Sequence, residues 1–257
     1  MVRSEKDWIF ISDAHFTGRD PEPMRGFLRF LDSEKKQIGH LVILGDLFEF
    51  FFGFKNFFST EKSPAFTEYL PVFNELRSLY EEGIQIKYFE GNHDFFLHSF
   101  FSEQFGMEIE VYPNGCEQRL EEYRAFIAHG DLSNPRQWTY RTFRRILKNW
   151  LTYRLIHLAG PRISRQVAKR LSDASYQKYH DEGQPAPPPA FRAFAHQKFL
   201  EGFDLVILGH SHHPEEVEEW VDGRRCLYYN VGDWEGHRSF LRYTPPGRFQ
   251  LEQYYGG

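Results

Sequence analysis

At 257 residues, with 41% hydrophobic and 26% charged side chains, the chain has the balance of a globular protein of one or two domains, which excludes a disordered or fibrous one. No apolar run reaches the roughly 18 residues that a membrane span needs, so an integral membrane helix is excluded too. The net charge is −5, and the unusual bulk number is an aromatic content of 18%, with 27 Phe. So many Phe exceed what one core is expected to hold, which predicts exposed apolar surface or a lipid-facing groove.

The chain runs from Met1 straight into the strand-like stretch WIFI with no small-residue cleavage site, so no secretory signal is expected and the protein is read as cytoplasmic. Residues 8–12 read as a buried strand. Residues 22–37 read as a helix, with Met24, Phe27, Leu28, Phe30 and Leu31 at helical spacing. LVIL at 41–44 is a second buried strand, and 66–82 a helix stopped by Gly83. The strand IQIKYF (84–89) precedes a helix near 96–105, and 107–128 alternates like two or three strands. A Pro-rich loop (183–189) leads into a helix at 190–201 and the strand DLVILG (204–209). The tail 215–255 holds short alternating strands separated by Gly and Pro turns. The two cysteines, Cys116 and Cys226, match no zinc or redox spacing and read as reduced thiols. This pattern predicts one mixed α/β (α+β) domain over 1–257, in which ligands gather at the carboxyl ends of strands.

The charge is unevenly spread. Between Leu132 and Ser172 stand ten basic residues and no Asp or Glu, so the rest of the chain carries −15. Phe143, Ile146, Leu147, Trp150, Leu151 and Leu155 are spaced as the apolar side of an amphipathic helix in the same stretch. A basic, aromatic helix suits an anionic membrane surface or an anionic ligand, nucleic acid being the other partner such a patch could meet.

Polar clusters end the apolar strands. They are Asp13-Ala14-His15, Gly45-Asp46, Gly91-Asn92-His93-Asp94, His129-Gly130-Asp131 and Gly209-His210-Ser211-His212. The alternate spacing of Asp13/His15 and of His210/His212 is expected to turn each pair the same way along a strand. Two Asp, one Asn and four His form an O/N donor set suited to Mn²⁺, Fe²⁺ or Zn²⁺. The neighbouring glycines are expected to let backbone pass close to a metal.

In order and spacing, these five motifs resemble the calcineurin-like metallophosphoesterase superfamily. The resemblance implies a four-layer α/β/β/α sandwich with two divalent metals. Asp13, His15, Asp46 and His212 would hold one metal. Asp46, Asn92, His129 and His210 would hold the other, with Asp46 as the shared carboxylate that offsets their repulsion. It also implies water acidified by the metals for in-line attack on phosphorus. His93, left off the metals, would protonate the leaving oxygen or steady the transition state, with Asp46 and Asn92 as its catalytic companions. Glu49 could orient His93, while Asp94 and Asp131 would support the loops by hydrogen bonds.

Within that superfamily the chain resembles the UDP-2,3-diacylglucosamine hydrolases. The likeness rests on GFLRFL (26–31), VILGDLFEFFFG (42–53), GNHDFFL (91–97), HGD (129–131), the helical insert after it, and NVGDW (230–234). It implies cleavage of UDP-2,3-diacylglucosamine to UMP and 2,3-diacylglucosamine 1-phosphate in lipid A biosynthesis, with Mn²⁺, peripherally at the inner membrane. The insert, at about 134–182, would form a helical cap with an acyl-chain pocket, and Ser175 and Lys178 would contact substrate. Typical members carry Arg in the third position of G-N-x-D, where this chain has His93, the general phosphoesterase residue. A phosphoesterase acting on soluble nucleotides or phosphodiesters is the alternative, with a nuclease or a metal-free scaffold behind it. No nucleic-acid partner and no obligate protein partner are expected.

Overall fold

The computed structural model describes residues 6–54, 66–160, 163, 166 and 189–256. Its first half contains β1 (Asp7–Ile11), α1 (Glu22–Glu34), β2 (Ile38–Ile43), β3 (Phe51–Phe52), α2 (Leu70–Glu81), β4 (Gln85–Phe89), β5 (Asp94–Phe95), α3 (His98–Phe105) and β6 (Glu110–Tyr112). The second half contains β7 (Cys116–Leu120), β8 (Tyr123–Ile127), α4 (Trp138–Leu147), α5 (150–160), α6 (Pro189–Leu200), β9 (Leu205–Leu208), β10 (Pro214–Val221), β11 (Arg224–Val231), β12 (Ser239–Thr244) and β13 (Arg248–Gln253).

Two mixed sheets carry the fold, ordered β13-β12-β1-β2-β4-β6 and β10-β11-β9-β8-β7. In the first, β1, β2, β4 and β6 are parallel, with Ile9 opposite Leu41 and Ile43 opposite Tyr88. In the second, β8, β9 and β11 are parallel. Side-chain alternation along these strands sorts residues into separate cores. Ile9, Ile11, Leu41 and Ile43 meet α1, α2 and α3 on one face. Phe10, Val42 and Phe89 turn the other way, onto Ile127, Leu205, Ile207 and Val231 between the sheets. Val206 and Leu208 point outward again and pack under Phe191, Ala195 and Phe199 of α6. The layers are therefore α/β/β/α, as the family resemblance implies.

Several details depart from the sequence reading. The helix expected at 22–37 stops at Glu34, and the one expected at 66–82 opens with a 3-10 turn, Thr67–Tyr69. A two-residue parallel ribbon, β3 on β5, was not anticipated. The expectation that the surplus Phe lie on the surface is corrected. Nineteen Phe are buried, and the run at 48–54 is drawn inward. Phe73 of α2 sits 4.9 Å from Phe48, 5.2 Å from Phe51, 5.1 Å from Phe100 and 5.2 Å from Phe105, ring centre to ring centre. Three cores instead of one give these rings room. The exposed apolar surface belongs instead to the insert, through Trp138, Phe143, Ile146, Trp150, Leu151, Leu155 and Leu158. Cys116 and Cys226 are both free thiols.

The aromatic cluster holds the loops behind β2 and β4, so its loss should be felt globally. Phe73→Ala is expected to cost about 3–5 kcal/mol, read as a lowered urea midpoint with an unchanged slope.

Candidate metal centre

Each polar cluster emerges where a parallel strand ends. β1, β2 and β4 deliver Asp13, Asp46 and Asn92 from the first sheet, while β8 and β9 deliver His129, His210 and His212 from the second. The loops are stitched together by backbone hydrogen bonds, Ala14 and His15 both donating to the carbonyl of Asp46 at 3.0 Å. Asp13, His15, Asp46, His210 and His212 all have positive φ, between 43° and 65°. Asp and His tolerate that region better than most residues, but it stores strain, and its concentration here marks a functional site. It also means that left-handed turns, not strand alternation, aim these side chains. His210 and His212 consequently diverge, one to each of two donor groups.

The first group joins Asp13, Asp46, His129 and His210, and the second Asp13, His15 and His212. Within each group the ligand-capable atoms lie within 4.8 Å of one another. His129 Nε2 is 3.3 Å from Asp46 Oδ2, 3.2 Å from Asn92 Oδ1 and 3.1 Å from His210 Nδ1. His212 Nε2 and His15 Nε2 lie 3.6 and 3.8 Å from Asp13 Oδ1. Asp13 is thus the carboxylate common to both groups, while Asp46 Oδ1 accepts from the His93 N–H at 2.8 Å. Glycines make the approach possible. A Cβ on Gly91 would stand 2.0 Å from Asp46 Oδ1, and one on Gly209 2.0 Å from Ser12 Oγ.

This arrangement fits divalent cations. Carboxylate, amide and imidazole donors converge, and Asp13 Oδ1 is buried without a hydrogen bond. Burial opposes ionisation of Asp13 and Asp46, but the facing imidazoles outweigh it. His212 and His15 do so for Asp13, and His129 and His93 for Asp46, holding both carboxyls below the usual range. Burial likewise opposes charge on His129, yet Asp46 raises that imidazole to about 10. His210 is pushed down to about 4 by burial and by the His129 cation. The cluster therefore alternates charges and is poised to exchange protons for cations.

Ring tautomers are set by neighbours. His129 Nδ1–H donates to the Leu44 carbonyl at 2.6 Å, and His212 Nδ1–H to Asp233 Oδ2 at 3.2 Å, which leaves each Nε2 turned to the cluster. His93 Nδ1–H donates to the Glu49 carbonyl at 2.6 Å. Glu49 therefore orients His93 through its backbone, while its carboxylate lies 3.5 Å from His15 Nδ1.

Asp94 performs the supporting role expected of it. Its oxygens accept from the N–H groups of Asp46, Leu47 and Gly91 at 3.0, 2.7 and 3.0 Å, and from the Tyr88 hydroxyl at 2.5 Å. Asp131 does likewise, taking the Tyr140 hydroxyl at 3.0 Å and an ion pair with Arg144. Tyr88 and Asp233 were missed by the sequence reading. Asp233 stood in the noted NVGDW stretch, but its use depends on a fold contact 21 residues away in sequence.

The insert is corrected in one respect. Arg144 and Lys148 of the basic stretch expected to meet an anionic partner turn inward, Arg144 buried and Lys148 half-buried. Arg144 pairs with Asp131 and donates to Asn114 Oδ1 at 3.0 Å, and Lys148 Nζ lies 3.4 Å from Glu90 Oε2. They fasten α4 to the body of the protein. Ser175, Lys178 and most of the insert beyond residue 160 lie outside the described residues.

The sequence profile of calcineurin-like phosphoesterases matches residues 8–214. Proteins named UDP-2,3-diacylglucosamine hydrolase align along most of the chain. That of Tolumonas auensis is 30% identical, covering 91% of this chain and 92% of its own. That of Aeromonas salmonicida is 30% identical, with 95% and 92% covered, and that of Stenotrophomonas maltophilia 31%, with 93% and 95%. Donor geometry and alignment lead to one conclusion, that the chain belongs to the calcineurin-like phosphoesterase family and is a metal-dependent hydrolase.

Proposed function

We propose that the enzyme hydrolyses the pyrophosphate bond of UDP-2,3-diacylglucosamine, releasing UMP and 2,3-diacylglucosamine 1-phosphate, in lipid A biosynthesis. The name borne by relatives aligned over nine-tenths of the chain supports the substrate. One structural observation carries the lipid half. Tyr140 of α4 has its ring 6.4 Å from that of His210, and α4 and α5 together expose Trp138, Phe143, Ile146, Trp150, Leu151, Leu155 and Leu158. A substrate with two acyl chains and a diphosphate needs apolar surface beside an anion-handling centre. No described helix is long and apolar enough to cross a membrane, so this stripe would meet the inner-membrane surface from the cytoplasmic side as a peripheral contact.

On this reading Asp13, His15, Asp46 and His212 would hold one cation and Asp46, Asn92, His129 and His210 the other, with Asp13, the carboxylate common to both donor groups, placed beside each. When bound, the cations, Mn²⁺ on this reading, supply acidified water and neutralise charge on the phosphoryl oxygens. The protein's part is positioning. Asp94 holds the backbone on both sides of Asp46, and Asp233 fixes the His212 tautomer. His93, with Nδ1–H committed to the Glu49 carbonyl, has Nε2 available to carry a proton to the leaving oxygen. Ser175 and Lys178 remain proposed substrate contacts. His93 in place of the Arg of typical relatives favours a second reading, a phosphoesterase acting on soluble nucleotides or phosphodiesters.

The two readings separate on substrate. The Mn²⁺-loaded enzyme is expected to hydrolyse UDP-2,3-diacylglucosamine much faster than UDP-N-acetylglucosamine or bis-p-nitrophenyl phosphate. Turnover of the small diester alone would discard the lipid reading while keeping the metal centre. His93→Ala should lower kcat by about 10²–10⁴-fold with both metals retained, and unchanged kinetics would remove His93 from the mechanism. Metal loading should also release protons at pH 7. The metal-free protein holds His129 and His15 as cations, and ligation requires neutral imidazole. Affinity should therefore rise with pH towards about 10, where His129 loses its proton unaided. Calorimetry in buffers of different ionisation enthalpy measures the protons released, and a buffer-independent heat would contradict this assignment.

A further inference from the structure

Beyond the metal centre, the described residues form a cleft of about 330 Å³ between α4 and the turn joining β6 to β7. Arg141, Arg144, Arg145 and Lys148 line it with Asn114, and no carboxylate does. Their spacing of i, i+3, i+4 and i+7 puts all four cations on one side of α4 and its C-terminal turn. Like charges at such spacing repel, so a helix keeps them together only when something offsets the repulsion.

Part of that offset comes from behind. Asp131 pairs with Arg144 and Glu90 with Lys148, one buried carboxylate for each of these cations. Arg144 is further held by Asn114 Oδ1 and the Pro113 carbonyl, at 3.0 and 3.1 Å. Arg141 donates only to the Leu132 carbonyl, at 2.6 Å, and Arg145 is exposed. Neither has a carboxylate within ion-pair distance among the described residues. Two positive charges are left over, on guanidinium groups whose planar forks match the oxygens of a phosphate.

We infer that this cleft is a second anion site, shaped for a phosphate monoester group held between Arg141 and Arg145. Charge and size agree. A phosphate monoester carries about −1.5 to −2 near neutral pH, matching the two uncompensated cations. The volume lies at the low end for ligand pockets, enough for a headgroup or a small phosphate but not for an acylated substrate. Buried Arg144 and half-buried Lys148 form a rigid floor, since each is ion-paired to the body of the protein. The cleft shares none of the donor atoms of the metal centre and does not depend on the identity of its substrate.

Equilibrium dialysis of the metal-loaded, full-length protein against labelled inorganic phosphate tests the site by stoichiometry. Wild type should bind two phosphates per chain, one at the metals and one in the cleft. Arg141→Gln/Arg145→Gln should lose one of them, its dissociation constant rising about tenfold or more, with metal content and unfolding midpoint unchanged. Arg154→Gln, which alters an exposed guanidinium beside Trp150, should keep both. A single wild-type site, two sites surviving in the double variant, or an equal loss in Arg154→Gln would each overturn the proposal. With the site established, phosphatidic acid vesicles identify the source of the phosphate. Vesicle binding lost in the double variant assigns a lipid headgroup, and vesicle binding retained assigns a soluble phosphate.

Discussion

Everything in this molecule is arranged around two carboxylates, Asp13 and Asp46, kept ionised where two sheets meet and water is excluded. A buried charge without partners is among the most costly features a fold can carry. The protein offsets that cost by facing each carboxylate with an imidazole from a loop of the opposite sheet, His129 for Asp46 and His212 for Asp13, and with a backbone N–H, that of His93 for Asp46 and that of His210 for Asp13. The two sheets are therefore joined by the chemistry of the site as well as by the apolar layer between them. A divalent cation takes over the same electrostatic task, which links metal affinity to the protonation of His129 and His15.

Such a cluster works only on a rigid support. Backbone strain at Asp13, His15, Asp46, His210 and His212 persists because the loops carrying them are over-determined. Asp94 binds three N–H groups and a buried phenol, and Gly91 and Gly209 admit contacts that any side chain would block. Behind the loops of the first sheet lies the aromatic cluster around Phe73, where edge-on and tilted rings fill space densely. The Phe surplus is thus a stiffening device for the catalytic face.

α4 combines two roles on opposite sides. Tyr140, Arg144 and Lys148 tie it to Asp131 and Glu90, so it reports directly on the loop that carries His129. Trp138, Phe143 and Ile146 are exposed, as are Trp150, Leu151, Leu155 and Leu158 of α5.

The sequence by itself determined most of the elements, the mixed α/β class and the candidate donor set, because these are written in local patterns, while the α/β/β/α layering was implied by the family resemblance that the motifs carry. Strand alternation separates Ile9 from Phe10, and short apolar runs end in Asp, Asn and His at fixed offsets. Tertiary structure alone decided which partner each of those residues meets. Asp233 reaches His212 across 21 residues, Asp94 reaches the backbone of Asp46 across 48, and the Glu49 contact to His93 is made by a carbonyl that no side-chain pattern reveals. Arg144 and Lys148 carry the same charge in the sequence as their exposed neighbour Arg145. Only the placement of Asp131 and Glu90 draws them inward, since a buried cation needs a carboxylate that folding brings to it.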